Sequence, residues 1–107
     1  MKKFLVQKRR NQKSKTGGAV LEWVDVTEVC GYLDMLDGSV HNPIQNALVQ
    51  SSSHVLVVPE YQTGIEMGMR IVFEGKLYQI TYVDNPVNLD HHLEIYCKYD
   101  GKVGGVD

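Results

Sequence analysis

The chain has 107 residues, 43% of them hydrophobic, and a formal net charge of −2. That length supports one domain with a single modest core and leaves no room for a catalytic domain with a lid, so one small module over residues 1–107 is expected. The charge is unevenly spread: Lys2, Lys3, Lys8, Arg9, Arg10, Lys13 and Lys15 all precede the first acid, Glu22, and the remainder is acidic.

A basic arm of this kind suits a nucleic acid or an acidic protein partner, and equally a solvated strand edge whose lysines discourage strand-to-strand aggregation. Cys30 and Cys97 lack metal-type spacing and fall in strand-like runs, which predicts buried free thiols in a reducing cytoplasm. No apolar run approaches the roughly 18 residues of a membrane helix, and the start lacks the apolar core of a signal peptide. A protein that is soluble and not exported by that route is expected.

In chain order, Phe4 to Gln7 reads as a short strand ending in Lys8-Arg9-Arg10, and Asn11 to Gly18 as an exposed turn. Val20 to Trp23 favours a second strand, with Trp23, the only tryptophan, expected as a core anchor. Another strand is expected near Glu28 to Met35, followed by a break at Asp37-Gly38. Asn42-Pro43 then offers an N-cap and a proline suited to the first helical position, predicting one or two helical turns over Pro43 to Gln50.

Ile44, Ala47 and Leu48 share one face of that helix, but Ser51-Ser52-Ser53 adds nothing apolar, so residues 41–53 are expected as a mobile inter-strand loop. His54 to Tyr61 resumes a strand, with Pro59 marking an edge or an end. After a connection to Gly68 comes the strongest local signal, Met67 to Val83. Two β-prone runs flank Glu74-Gly75, where Gly75 can take the positive φ of a tight hairpin turn. That turn pairs Phe73 with Lys76 and Ile71 with Tyr78. It also puts Met69, Ile71, Phe73, Tyr78 and Ile80 on one face, with Arg70, Val72, Leu77, Gln79 and Thr81 on the other.

Asp84-Asn85-Pro86 turns the chain, and Leu93, Ile95, Cys97 and Tyr99 alternate with Glu94, Tyr96 and Lys98 in a half-buried strand. Asp100 to Asp107, rich in glycine, is expected as a tail, flexible from residue 101 onward. Short strands about ten residues apart with one weak helix predict a mainly β fold. It is a small antiparallel β-barrel or sandwich whose long inter-strand loop carries at most one short helix.

Catalytic and cofactor chemistry is not expected. Gly17-Gly18 and Gly104-Gly105 lack the surroundings of a phosphate-binding loop. His91 and His92, adjacent on a strand, point to opposite faces, and neither they nor His41 and His54 find a second pair of ligands, so no metal site is expected. Ser51, Ser52 and Ser53 before His54 have no strand-to-helix elbow and no orienting acid, so no hydrolase is implied.

Three stretches carry a resemblance: Gly68-Met69-Arg70-Ile71-Val72-Phe73-Glu74-Gly75-Lys76-Leu77-Tyr78-Gln79-Ile80-Thr81, Asp84-Asn85-Pro86-Val87-Asn88-Leu89, and Leu93-Glu94-Ile95-Tyr96-Cys97-Lys98. With the early strand bearing Trp23 and Asp25, these resemble the head-tail joining family of long-tailed bacteriophages, also called head completion or stopper proteins. The resemblance implies a non-enzymatic small β-barrel of the virion, made in the host cytoplasm and assembled as a ring, usually dodecameric, below the portal and its adaptor. Such a ring closes the DNA-filled head and offers the tail its attachment surface. Its partners would be copies of itself, adaptor or portal, tail proteins and packaged DNA, with no membrane or small-molecule substrate.

By position, the family's channel loop corresponds to Asn42, Pro43, Ile44, Gln45, Asn46, Ala47, Leu48, Val49, Gln50, Ser51, Ser52 and Ser53. The basic arm Lys8, Arg9 and Arg10 would contact a partner. The alternative is a nucleic-acid-binding barrel of SH3-like or OB-like kind, with Tyr78, Tyr82 and Tyr96 stacking on bases. A third reading is an inert accessory domain of a larger complex.

Overall fold

The computed structural model describes residues 1–13, 19–36 and 51–104. Among these residues six strands form one closed antiparallel barrel: β1 (Lys2–Lys13), β2 (Ala19–Met35), β3 (His54–Val58), β4 (Arg70–Phe73), β5 (Lys76–Asp84) and β6 (Leu93–Lys102), in the order β1-β2-β3-β6-β5-β4. A short 3₁₀ turn, Pro86–Asn88, lies between β5 and β6. The fold is mainly β as expected, and of the two expected forms, barrel or sandwich, it is the barrel. The expected helix over Pro43 to Gln50 lies outside the described residues.

The barrel closes because every strand contributes to one inward-facing set. Phe4 and Val6 come from β1, Val29 from β2, Leu56 and Val58 from β3, and Ile71 from β4. Tyr78 and Ile80 come from β5, and Leu93, Ile95 and Cys97 from β6, all nearly inaccessible to water. Ile65, from the β3–β4 connection, joins the same core. Alternation along each strand puts these groups on one side, and closure of β1 against β4 (Leu5 opposite Val72, Val6 opposite Ile71) leaves no open edge there. Burial drives the Cys97 thiol up to about 12, so it stays protonated.

The predicted hairpin register holds, with Phe73 opposite Lys76 and Ile71 opposite Tyr78. Both turn residues take positive φ, 49° at Glu74 and 75° at Gly75, as a two-residue turn matched to the strand twist requires. The turn is also tied outward: Gly75 O accepts from the Val103 N–H at 2.8 Å, and Lys2 Nζ lies 3.1 Å from Glu74 Oε1.

Elsewhere the strands run longer than the local pattern indicated. The two strands read at Val20 to Trp23 and Glu28 to Met35 are one, β2, of 17 residues. The apparent break is a bulge, where Val6 faces Thr27 but Gln7 faces Asp25. Lys8, Arg9 and Arg10 lie within β1, as do Asn11 to Lys13 of the expected turn, because β2 supplies backbone partners out to Ala19. The third strand stops at Val58, one residue before Pro59. Asp100, Gly101 and Lys102, read as the start of the tail, continue β6, and Lys102 pairs with Lys76.

Two side-chain expectations are corrected. Trp23 is half-buried on the outer surface, because its partner Arg9 lies two residues past Gln7 on the side opposite Val6. Cys30 is a free, exposed thiol, while its neighbour Val29 takes the inward position.

A second bulge falls in β5, where Ile80 faces Cys97 but Tyr82 faces Tyr96. The extra residue, Thr81, uses its hydroxyl to donate to the Tyr96 carbonyl at 3.1 Å. At Gly31 the backbones of β2 and β3 come so close that a Cβ would sit 2.3 Å from the Val57 carbonyl oxygen.

Candidate functional site

Among the described residues no group of three or more histidine, cysteine or acidic side chains could hold a metal. What the fold presents is a set of surfaces for contact. They are the basic ribbon, the Leu36–Ser53 junction, an acidic cluster on β5 and β6, and exposed apolar groups at the strand ends.

The ribbon is the part of the β1–β2 hairpin beyond Gln7. There Lys8 to Lys13 pair with Val24 to Ala19, and among the described residues neither stretch pairs with a further strand. Lys8, Arg9 and Arg10 are all exposed on it. Arg10 Nη2 lies 3.1 Å from Glu22 Oε2, its cross-strand partner. Arg9, on the opposite face, sits over Trp23 at 5.8 Å from the ring centroid.

Trp23 receives a second cation from the far end of the sequence. The Arg70 guanidinium lies 4.1 Å from the ring centroid, and its Nε donates to Gln7 Oε1 at 2.8 Å. Gln7 Nε2 in turn donates to Asp25 Oδ1 at 2.9 Å. The three are register partners across β4, β1 and β2, so sheet pairing itself lines them up. Burial lowers the Arg70 pKa, and Asp100 across a shallow cleft opposes that shift. Arg9, Trp23 and Arg70 thus form a rigid cation–aromatic–cation surface at the root of the ribbon.

Of the proposed channel loop, Asn42 to Gln50 lie outside the described residues, whereas Ser51, Ser52 and Ser53 are its returning foot. Ser53 N–H donates to the Cys97 carbonyl at 2.9 Å, its Oγ accepts from Tyr99 N–H at 2.8 Å, and its carbonyl accepts from Leu36 N–H at 2.9 Å. Ser52 Oγ is in close contact with Thr81 Oγ1. The departing and returning ends, Leu36 and Ser53, are therefore clamped together on the barrel wall. Ser53 Oγ also shares a 2.8 Å hydrogen bond with His54 Nδ1, while His54 packs edge-on to Tyr78. Burial first, then Lys76, lowers the His54 pKa. This serine anchors a strand end.

The basic residues and the loop foot are not brought together. They sit toward opposite ends of β2: Arg10 faces Glu22 and the clamp follows Met35, so roughly 40 Å of strand lies between them at about 3.3 Å per residue.

On β5 and β6, Asp84 faces Glu94 directly. His92 Nε2 lies 3.4 Å from Glu94 Oε2, and Tyr96 O–H donates to Glu94 Oε1 at 3.3 Å. Burial and then Glu94 raise the Asp84 pKa, with His92 opposing. Burial and Glu94 push the Tyr96 phenol up to about 12. Tyr82 and Tyr96 pair with centroids 6.1 Å apart. Tyr78, which the nucleic-acid alternative needed on the surface, is buried and unavailable for stacking.

Two features escaped the sequence reading. One is the Arg70–Trp23 contact, for which no local signal exists. The other is the β5–β6 loop, where Val87, Asn88 and Asp90 have φ of 57°, 55° and 54°. An Asn/Asp bracket holds it: Asn85 Nδ2 donates to Asp90 Oδ1 at 2.7 Å, and Asp90 N–H donates to Asn85 Oδ1 at 3.1 Å. The Asp84-Asn85-Pro86 turn signal located this loop without indicating its rigidity.

A closed six-stranded barrel with a protruding ribbon and a clamped loop base is a scaffold that displays surfaces to partners. The profile of the phage head completion protein family matches residues 2–99, and the chain belongs to that family, whose role is structural, in the phage head. The fold is similar to the solution structure of protein SF1141 from Shigella flexneri 2a, with a TM-score of 0.67 and 16% identity over 91% of this chain and 89% of that one. No curated protein matches the sequence.

Proposed function

We propose that this head protein is the connector element that closes the DNA-filled head below the portal or adaptor, forming a ring and offering the tail its attachment surface. The observation that carries the reading is the placement of two contact features toward opposite ends of one long strand. The basic ribbon stands at the start of β2 and the loop clamp at its end. A scaffold of that shape can hold one neighbour on each side without moving.

In this reading the segment Asn42 to Ser53 leaves its clamp toward the channel and is ordered by contacts with other copies, which offset the entropy of fixing it. Lys8, Arg9 and Arg10 meet the head side. The virion is the site of action, with assembly in the host cytoplasm.

Deleting residues 43–50 tests this directly, because the Leu36–Ser53 bond can still close the shortened connection. The variant should fold as the parent does, and heads carrying it should lose packaged DNA. Full DNA retention by such heads would refute the channel role.

A further inference from the structure

The β5–β6 loop presents Val87 and Leu89 to solvent, 84% and 69% exposed, on a backbone that is fixed rather than loose. Besides the Asn85–Asp90 bracket, Asn88 N–H donates to Asn85 O at 2.9 Å and Leu89 N–H to Pro86 O at 3.3 Å. Val87 holds a left-handed conformation that a β-branched side chain strongly disfavours, and backbone strain of this kind is retained where a side chain must be aimed. The result is a stiff apolar prong of two side chains.

At the other end of β5 is a depression that complements it. Met1, Phe4, Tyr32, Leu33 and Phe73 line an apolar cleft of about 370 Å³, large enough to take both aliphatic groups. Phe73 pairs with Lys76, the first residue of β5, whereas the prong follows Asp84, its last. Eight strand steps put them roughly 26 Å apart, so a copy cannot fill its own cleft with its own prong.

The rims also offer one pair of opposite charges. Lys2 and Asp34 flank the cleft, and Asp90 and His91 flank the prong, so Lys2 on the one rim has a counterpart of opposite sign in Asp90 on the other.

We propose that the prong of one copy docks in the cleft of the next. The contact is heterologous, one surface meeting a different one, and repeats head to tail until rotation closes it into a ring. This rests on the ring reading given above and names the surfaces that make it.

The test is made in assembled heads, with Cys30→Ser as background to remove the exposed thiol. Asp34→Cys and His91→Cys, which spare the apolar groups, are introduced together and singly, and heads are treated with a short bis-maleimide. The expected result is a ladder of multimers from the double variant only. A head that holds several copies yet yields no ladder overturns the prong-in-cleft contact while leaving the ring intact. A head that holds one copy overturns both. Leu89→Asp is the independent check: its circular dichroism and Trp23 fluorescence should match the parent, and copies retained per head should fall at least tenfold. Normal retention of Leu89→Asp overturns the proposal.

Discussion

Gly31→Ala is the sharpest probe of how the barrel wall is built. The new Cβ would lie 2.3 Å from Val57 O, 3.2 Å from Val57 C and 3.2 Å from Leu56 Cδ1. The first two are backbone atoms of β3 and cannot swing aside, so relief requires moving β3 away from β2 by about 1 Å. Displacements of that kind in a packed interior cost about 1–3 kcal/mol. Weakening one of the flanking strand hydrogen bonds adds about 1 kcal/mol. Against this, alanine in a strand interior is favoured over glycine by about 0.5–1 kcal/mol through lower chain entropy. The net is a loss of about 1–3 kcal/mol. At roughly 4 °C or more per kcal/mol for a domain near this size, Tm should drop by about 5–12 °C. Urea unfolding followed by Trp23 fluorescence should show a lower midpoint with unchanged slope, because the surface exposed on unfolding is the same. A Gly31→Ala protein as stable as the parent would mean that the backbones of β2 and β3 do not approach this closely.

Two further expectations follow from individual groups. Val87→Asn puts a residue that tolerates left-handed φ at a position of 57°, so it should raise stability by about 0.5–1 kcal/mol in urea titrations while weakening assembly in heads. An unchanged or lower midpoint would show that the valine is not strained. Asp84→Asn removes a carboxylate whose pKa folding raises, through burial and Glu94. A carboxylate of raised folded pKa disfavours the folded state once both states are ionised, and that penalty fades as pH falls through the folded value toward the unfolded one. The variant should therefore be more stable than the parent at neutral pH, with the gain vanishing in acid below the ordinary carboxylate range. A gain equal at both pH values would reject the electrostatic cause.

The head completion family reading joins these properties to one task. A head protein has to hold its shape against neighbours, and here no strand pair depends on a partner for closure: β1 meets β4 within the chain. What the barrel leaves outside itself is the ribbon, the loop clamp, the prong and the cleft. These are the features a neighbour can use.

The hairpin was legible from residues alone. Its alternation, with Gly75 between the runs, fixed the pairing of Ile71 with Tyr78 and the inward set, because a slip of one position would have turned that set to water. The same alternation located Leu93, Ile95 and Cys97 in the core, whereas Tyr99, the last of that set, is exposed. Trp23 shows where local pattern ends. It looked like core by hydrophobicity, yet the bulge at Val26 and the pairing with Arg9 put it outside, against an arginine 47 positions away in sequence. The continuity of β2, the extension of β6 and the closure of β1 on β4 were likewise decided by partners distant in the chain, since a strand's length depends on backbone groups that another strand offers it. Sequence periodicity reports which side of a strand prefers water. Which strand lies alongside, and so what each outward side chain meets, is set only when the sheet closes.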